Sequence, residues 1–144
     1  MYKLEVVRKG SVCEDAPKYV SPDKIYHQFR KMCELDREHF VVLHLDGKNR
    51  LIAKETISVG TLNQSIIHSR EVFKGAVLHN SAALILLHNH PTGDPKPSPE
   101  DLAITRRLKR CGNLLGIPVL DHIIIGENSF VSLTAMRMEF SILR

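Results

Sequence analysis

The sequence predicts an α/β fold, a three-layer α/β/α domain around a mixed central sheet. Three observations carry this. Segments patterned as strands alternate with segments of helical periodicity. The run Ala82 to Leu87 is apolar throughout, as in a strand covered on both faces. Two hairpins, turning at Asp46-Gly47-Lys48-Asn49 and at Gly126-Glu127-Asn128, interrupt the alternation, so the sheet is mixed and not purely parallel.

Taken in order, Lys3 to Arg8 alternates as a half-buried strand, and the polar stretch to Val20 reads as an arm. Residues 1–20 are thus expected to be an N-terminal strand and arm, with the domain proper spanning 21–144. Ser21-Pro22-Asp23 supplies a cap, a first-turn proline and an acid for the helix dipole. Ile25, Phe29, Met32 and Cys33 form one apolar stripe, so a helix is expected from about Pro22 to Cys33. Phe40 to Leu45 and Leu51 to Val59 are the strands of the first hairpin, with Gly60 as a stop. His68-Ser69-Arg70-Glu71 starts a helix whose Val72, Phe73, Ala76, Val77 and Leu78 are expected to face the core. After the apolar strand ending at His88, Ser98-Pro99 opens a helix closed by Gly116 and Pro118. Val119 to Ile125 and Phe130 to Leu133 form the second hairpin, followed by a short helical tail.

The 144 residues fit one domain, large enough to need no disulfide staple. Cys13, Cys33 and Cys111 form no CxxC pair and read as reduced thiols. No apolar run is long enough to cross a bilayer, and the N-terminus lacks the apolar region of a signal peptide. A cytoplasmic location without a membrane partner is expected. The net charge of +4 divides evenly between the two halves, and Trp is absent, which argues against a stacking platform for single strands. There is no His-Glu-x-x-His helix, no deaminase Pro-Cys-x-x-Cys, no Gly-x-Ser-x-Gly elbow and no phosphate-cradling loop.

The informative stretch runs from Leu87 to Asp101. His88 and His90 sit two residues apart at a strand end, so extended geometry points both imidazoles to one side. On the following helix Ile104, Leu108, Cys111 and Leu115 recur at inward spacing, and extending that stripe back reaches Asp101. A buried carboxylate is costly unless a cation or donors satisfy it. Two nitrogens and one oxygen leave one tetrahedral corner open, the pattern of a catalytic zinc site. Prolines at 91, 95, 97 and 99 stiffen the loop between the ligands. The competing reading is a capping box, with Ser98 as the cap and Asp101 three residues on.

His88-x-His90, ten residues, then Asp101 with Ser98 three before it resembles the JAMM (MPN-type) zinc metalloprotease motif. The fuller His88-Asn89-His90-Pro91-Thr92-Gly93-Asp94-Pro95-x-Pro97-Ser98 is similar to the bacterial RadC group within it. So are Gly60-Thr61-Leu62-Asn63, Arg70-Glu71-Val72-Phe73 and Asp121-His122-Ile123-Ile124-Ile125-Gly126. The resemblance implies a RadC-like JAMM/MPN domain over 21–144, with the mixed α/β/α fold also found in cytidine deaminases. It implies Zn2+ held by His88, His90 and Asp101, with metal-activated water attacking an amide bond of a peptide or protein substrate. It also implies a glutamate before an early strand, and Glu38 fits by position, as general base and then acid. Ser98 would donate to the developing oxyanion. Glu34 and Glu55 fit less well.

An alternative function is a DNA-repair-associated accessory module, touching phosphate through Arg106, Arg107, Lys109 and Arg110. Longer RadC members carry an N-terminal helix-hairpin-helix-like segment. About twenty residues precede the first helix here, so the chain is expected to lack that segment, and DNA is the weaker partner. His122 reads as a hydrogen-bonded core histidine, or as the support of a ligating one. His27, His39, His44, His68 and His79 show no ligand spacing to one another.

Overall fold

The computed structural model describes residue 18, residues 21–60 and residues 67–136. The expected strand at Lys3 to Arg8, most of the arm and Thr61-Leu62-Asn63 lie outside the described residues.

Among the described residues, five strands form one sheet in the order β2-β1-β3-β4-β5: β1 His39–Leu45, β2 Leu51–Val59, β3 Ala83–Asn89, β4 Val119–Gly126 and β5 Ser129–Ser132. Of these strands β3 and β4 run parallel; β1 pairs antiparallel with both β2 and β3, and β5 antiparallel with β4. The sheet is therefore mixed, as the two hairpins require. The parallel pair is joined by the crossover helix α3, Pro99–Leu115.

Alternation along the strands builds a core on each face. Phe40, Val42, Leu84 and Leu86 pack with Val72, Phe73 and Ala76 of α2 (Ser69–Leu78) and with Ile104 and Leu108 of α3. Val41, Leu43, Leu45, Ile85, Leu87, Ile123 and Ile125 pack on the opposite face against Ile25 and Met32. Those two belong to α1, Pro22–Phe29, and to the 3-10 turn Arg30–Glu34 that continues it. Each fully buried Leu or Ile in these layers contributes roughly 1.5–3 kcal/mol.

Three local expectations differ. The helix expected to Cys33 tightens to 3-10 geometry after Phe29, and Ser21 stands at the cap without a side-chain hydrogen bond. Pro22, with its φ already helical and no N–H to satisfy, starts the helix instead. Val77 and Leu78 are exposed, because the inward face of α2 is the set Val72, Phe73, Gly75 and Ala76. Leu115 is exposed too, since the packed stripe of α3 ends at Gly112. A Cβ at Gly112 would collide with the Ile117 carbonyl, and the chain then turns away at Gly116 with φ of 73°.

The first hairpin turn is closed by Asp46. Its carboxylate accepts from the amides of Lys48 and Arg50 at 2.8 and 2.9 Å and from Arg50 Nε at 2.7 Å. Among the described residues no helix is long and apolar enough to cross a membrane.

Candidate metal centre

β3 is buried along its whole length, and its last two residues, His88 and Asn89, are polar. His88 shares a face with Leu84 and Leu86, the face covered by α3. His90 follows just beyond the strand, with its amide donating to the Ile125 carbonyl at 2.9 Å. The loop then folds back over the end of β4: Gly93 donates to the His90 carbonyl, and Glu127 donates to the Gly93 carbonyl. Gly126 permits this, because a Cβ there would collide with the Gly93 carbonyl.

Asp101 lies in the first turn of α3 and is 1% exposed. It makes both contacts weighed from the sequence. In the capping box, Ser98 Oγ accepts from the Asp101 amide at 3.1 Å, and Asp101 Oδ2 accepts from the Ser98 amide at 2.8 Å. The same carboxylate faces both imidazoles, with Oδ1 3.1 Å from His88 Nε2 and Oδ2 3.0 Å from His90 Nε2. The two Nε2 atoms are 3.0 Å apart.

The hydrogen-bond network assigns the tautomers. The Thr105 hydroxyl donates to the Asp101 carbonyl at 2.7 Å, so its oxygen accepts from His122 Nδ1–H at 2.5 Å. His122 Nε2 is then bare and accepts from His88 Nδ1–H at 2.7 Å. That leaves His88 Nε2 as a lone pair. His90 Nδ1–H donates to the Asp94 carbonyl at 2.8 Å, so His90 Nε2 is a lone pair as well. Three acceptor groups therefore converge: the two imidazole nitrogens lie 3.0 Å apart, and each has one carboxylate oxygen of Asp101 within 3.1 Å. Such a cluster is stable around a positive charge. Corners of a tetrahedron with zinc-type bond lengths are separated by roughly 3.3 Å, close to the spacing found. The residues thus fit a metal cation in chemistry and in spacing.

The electrostatics agree. Burial alone would raise the Asp101 pKa, but contact with His88 and His90, positive charge at His88 and the Ser98 amide hold the carboxyl well below its usual range, so the carboxylate stays charged and attracts a cation, either a metal ion or a proton carried on an imidazole. Burial would lower the His90 pKa; contact with Asp101 and the Asp94 carbonyl, and the charges of Asp101 and Glu38, raise it instead. His122 is pushed well below its ordinary value, first by burial and then by the charge of His88, which keeps it neutral for its relay role.

Glu38 is half-buried just before β1. The β1–β3 register pairs Phe40 with His88, and continuing it by two residues brings Glu38 towards His90. Asn89 fixes this approach. Its Oδ1 accepts from the His39 amide at 2.8 Å, and its Nδ2 donates to the Arg37 carbonyl at 2.9 Å. The Glu38 carbonyl in turn accepts from the Gly60 amide at 2.8 Å. Sequence reasoning passed over Asn89 and Thr105. A polar residue ending a buried strand was the signal for the first, and a threonine one helical turn beyond Asp101 for the second.

Asp121 and His122 have separate tasks. Asp121 accepts from its neighbour's amide, from Ser132 Oγ and from the Thr134 amide, tying β4 to β5 and to α4, Leu133–Met136. His122 is buried, as a core histidine would be, and supports His88. The basic residues of α3 are less free than their pattern implies. Arg106, Arg107 and Lys109 are partly buried, and Arg107 Nη2 donates to the Ile67 carbonyl.

Fold and site together give a mixed α/β domain with a buried His-His-Asp cluster that fits a metal cation. The family model described as the RadC-like JAB domain matches residues 19–138, and the chain belongs to that family. Relatives include a UPF0758 protein of Pelobacter propionicus, 53% identical over 125 residues, which are 86% of this chain and 55% of that protein. Another, from Bacillus cereus, is 50% identical over 135 residues, 92% of this chain and 56% of that protein. A third, from Geobacter sulfurreducens, is 51% identical over 122 residues, 84% of this chain and 52% of that protein. The chain spans about half the length of the curated relatives it matches.

Proposed function

We propose that this domain is a zinc-dependent hydrolase of amide bonds in peptide or isopeptide substrates. The observation that carries the reading is the convergence of His88 Nε2, His90 Nε2 and the Asp101 carboxylate, three acceptors oriented by their own hydrogen bonds. Zinc in a set of two imidazoles and one carboxylate supplies Lewis acidity, which makes water a nucleophile near neutral pH. Glu38 approaches from the β1 side, takes the proton of the attacking water and passes it to the leaving amine. Asn89 and the Gly60 amide hold the backbone on which Glu38 is carried. Ser98 serves two purposes at once. A lone pair of its hydroxyl accepts from the Asp101 amide, and its proton remains to donate to the oxyanion.

The test is hydrolysis of a peptide library and of isopeptide-linked conjugates by zinc-loaded protein and by Glu38→Gln. Loss of at least about a hundredfold in turnover, with zinc content unchanged, supports the reading. Equal turnover by both proteins, or zinc-loaded protein without hydrolysis of any of these substrates, contradicts it. The DNA-repair accessory role has less support, because three of the four α3 cations, Arg106, Arg107 and Lys109, are partly buried.

A further inference from the structure

The far end of β1 carries another histidine on the same sheet face as His88. His44 pairs with Leu84 whereas Phe40 pairs with His88, so four residues, about 13 Å of strand, separate the two positions. His44 is fully buried. Its Nε2 lies 3.0 Å from Glu55 Oε1 on β2, and its Nδ1 lies 2.9 Å from Ser81 Oγ. His79, at the C-cap of α2, places its ring centroid 4.7 Å from that of His44. One ligand atom from each of His44, Glu55 and His79 lies within 4.8 Å of the others.

An imidazole–carboxylate hydrogen bond needs only two residues, and this cluster has more. The Glu55 carboxylate is seated against α2 at Gly75, where a Cβ would collide with Oε1. Ser81 holds Nδ1 in either tautomer, because a hydroxyl both donates and accepts. With the proton on Nδ1, His44 donates to Ser81 and turns the Nε2 lone pair towards Glu55. The Asp94 carbonyl orients His90 in the same way. Burial decreases from His44 through the partly exposed Glu55 to the exposed His79, which leaves an approach from solvent.

We propose that His44, Glu55 and His79 form a second metal site, separate from His88, His90 and Asp101, for a divalent transition-metal ion such as zinc. Imidazole donors select the zinc, cobalt, nickel and copper group; calcium and magnesium require more oxygen ligands than this site offers. The ion joins the edge strand β2 and the end of α2 to central β1, and its fourth position faces solvent on the side of the exposed His79. The proposal does not depend on the hydrolase reading.

The test is calorimetric titration of the chelator-stripped full chain with zinc chloride. Wild type takes up two equivalents, and Asp101→Asn retains one. In the Asp101→Asn background, His79→Ala and Glu55→Gln each weaken the remaining equivalent at least tenfold. His79 is exposed, so its removal leaves the fold intact, and Gln keeps an acceptor for His44. Zinc raises the Tm of Asp101→Asn, and this shift disappears when His79→Ala is added. The proposal is overturned if wild type binds a single equivalent that Asp101→Asn abolishes. It is equally overturned if both variants bind the second equivalent within twofold of the parent, or if that equivalent binds only at millimolar zinc. Failure of the hydrolase reading appears separately, as retention of both equivalents in Asp101→Asn.

Discussion

His122 Nε2 lies 2.7 Å from His88 Nδ1, and this contact fixes which nitrogen of His88 faces Asp101. The relay continues through Thr105 to the backbone carbonyl of Asp101 itself. A hydroxyl one turn along α3 therefore sets the lone pair at the end of β3.

Thr105→Val keeps the shape and removes the relay. His122 Nδ1 then loses its acceptor in a buried site, which costs roughly 1–3 kcal/mol of stability. Zinc binding at His88 weakens about 10–100-fold as the tautomer is released. Competition with a calibrated chelator measures the affinity, and urea unfolding measures the stability. Zinc affinity equal to wild type would refute the relay.

Asn89→Ala frees the segment that carries Glu38. Two hydrogen bonds are lost, destabilising the protein by about 2 kcal/mol. The His39 amide, now held by Asn89 Oδ1, exchanges faster with deuterium, while zinc uptake at His88 and His90 is retained. An unchanged exchange rate at His39 would show that Asn89 does not hold this segment.

Asp101 has a capping role and a charge, and two variants separate them. Asp101→Asn retains an oxygen for the Ser98 amide, so α3 stays capped, but zinc uptake at His88 and His90 is lost. Ser98→Ala removes the cap, costs about 1 kcal/mol and leaves zinc uptake intact. Circular dichroism melts and metal analysis of the two proteins decide. Full zinc uptake by both variants would assign Asp101 to capping alone.

Asp46 gives a pH dependence unconnected with metal. Burial would raise its pKa, but the amides of Arg50 and Lys48 and the Arg50 guanidinium bring it below the ordinary 3.8. As pH falls, the unfolded chain takes up this proton first. The stabilisation is therefore complete above about 3.8 and is lost as pH drops through the folded value. Asp46→Asn is about 1 kcal/mol less stable than wild type at neutral pH, and the gap narrows below pH 4. Urea midpoints from pH 7 to pH 2.5 test this, and a constant gap would contradict it.

The elements of fold and site that depend on local sequence were the legible ones. β3 was visible because six consecutive apolar residues precede His88, and Asp101 because a helical stripe extends back to it. Glu38 needed the family resemblance, since only the antiparallel register of β1 and β3 brings it towards His90. The grouping of His44, Glu55 and His79 was hidden for the same reason: its members come from β1, β2 and the end of α2. Val77, Leu78 and Leu115 read as core because apolar residues continue past the last packed turn.

The proposed hydrolase rests on zinc held in common by His88, His90 and Asp101. Anomalous diffraction at the zinc absorption edge, from crystals of the full chain grown with zinc chloride, tests it most directly. The expected result is a peak within bonding distance, roughly 2.0–2.2 Å, of His88 Nε2, His90 Nε2 and an Asp101 carboxylate oxygen. Crystals in which those three atoms surround no anomalous peak would contradict it.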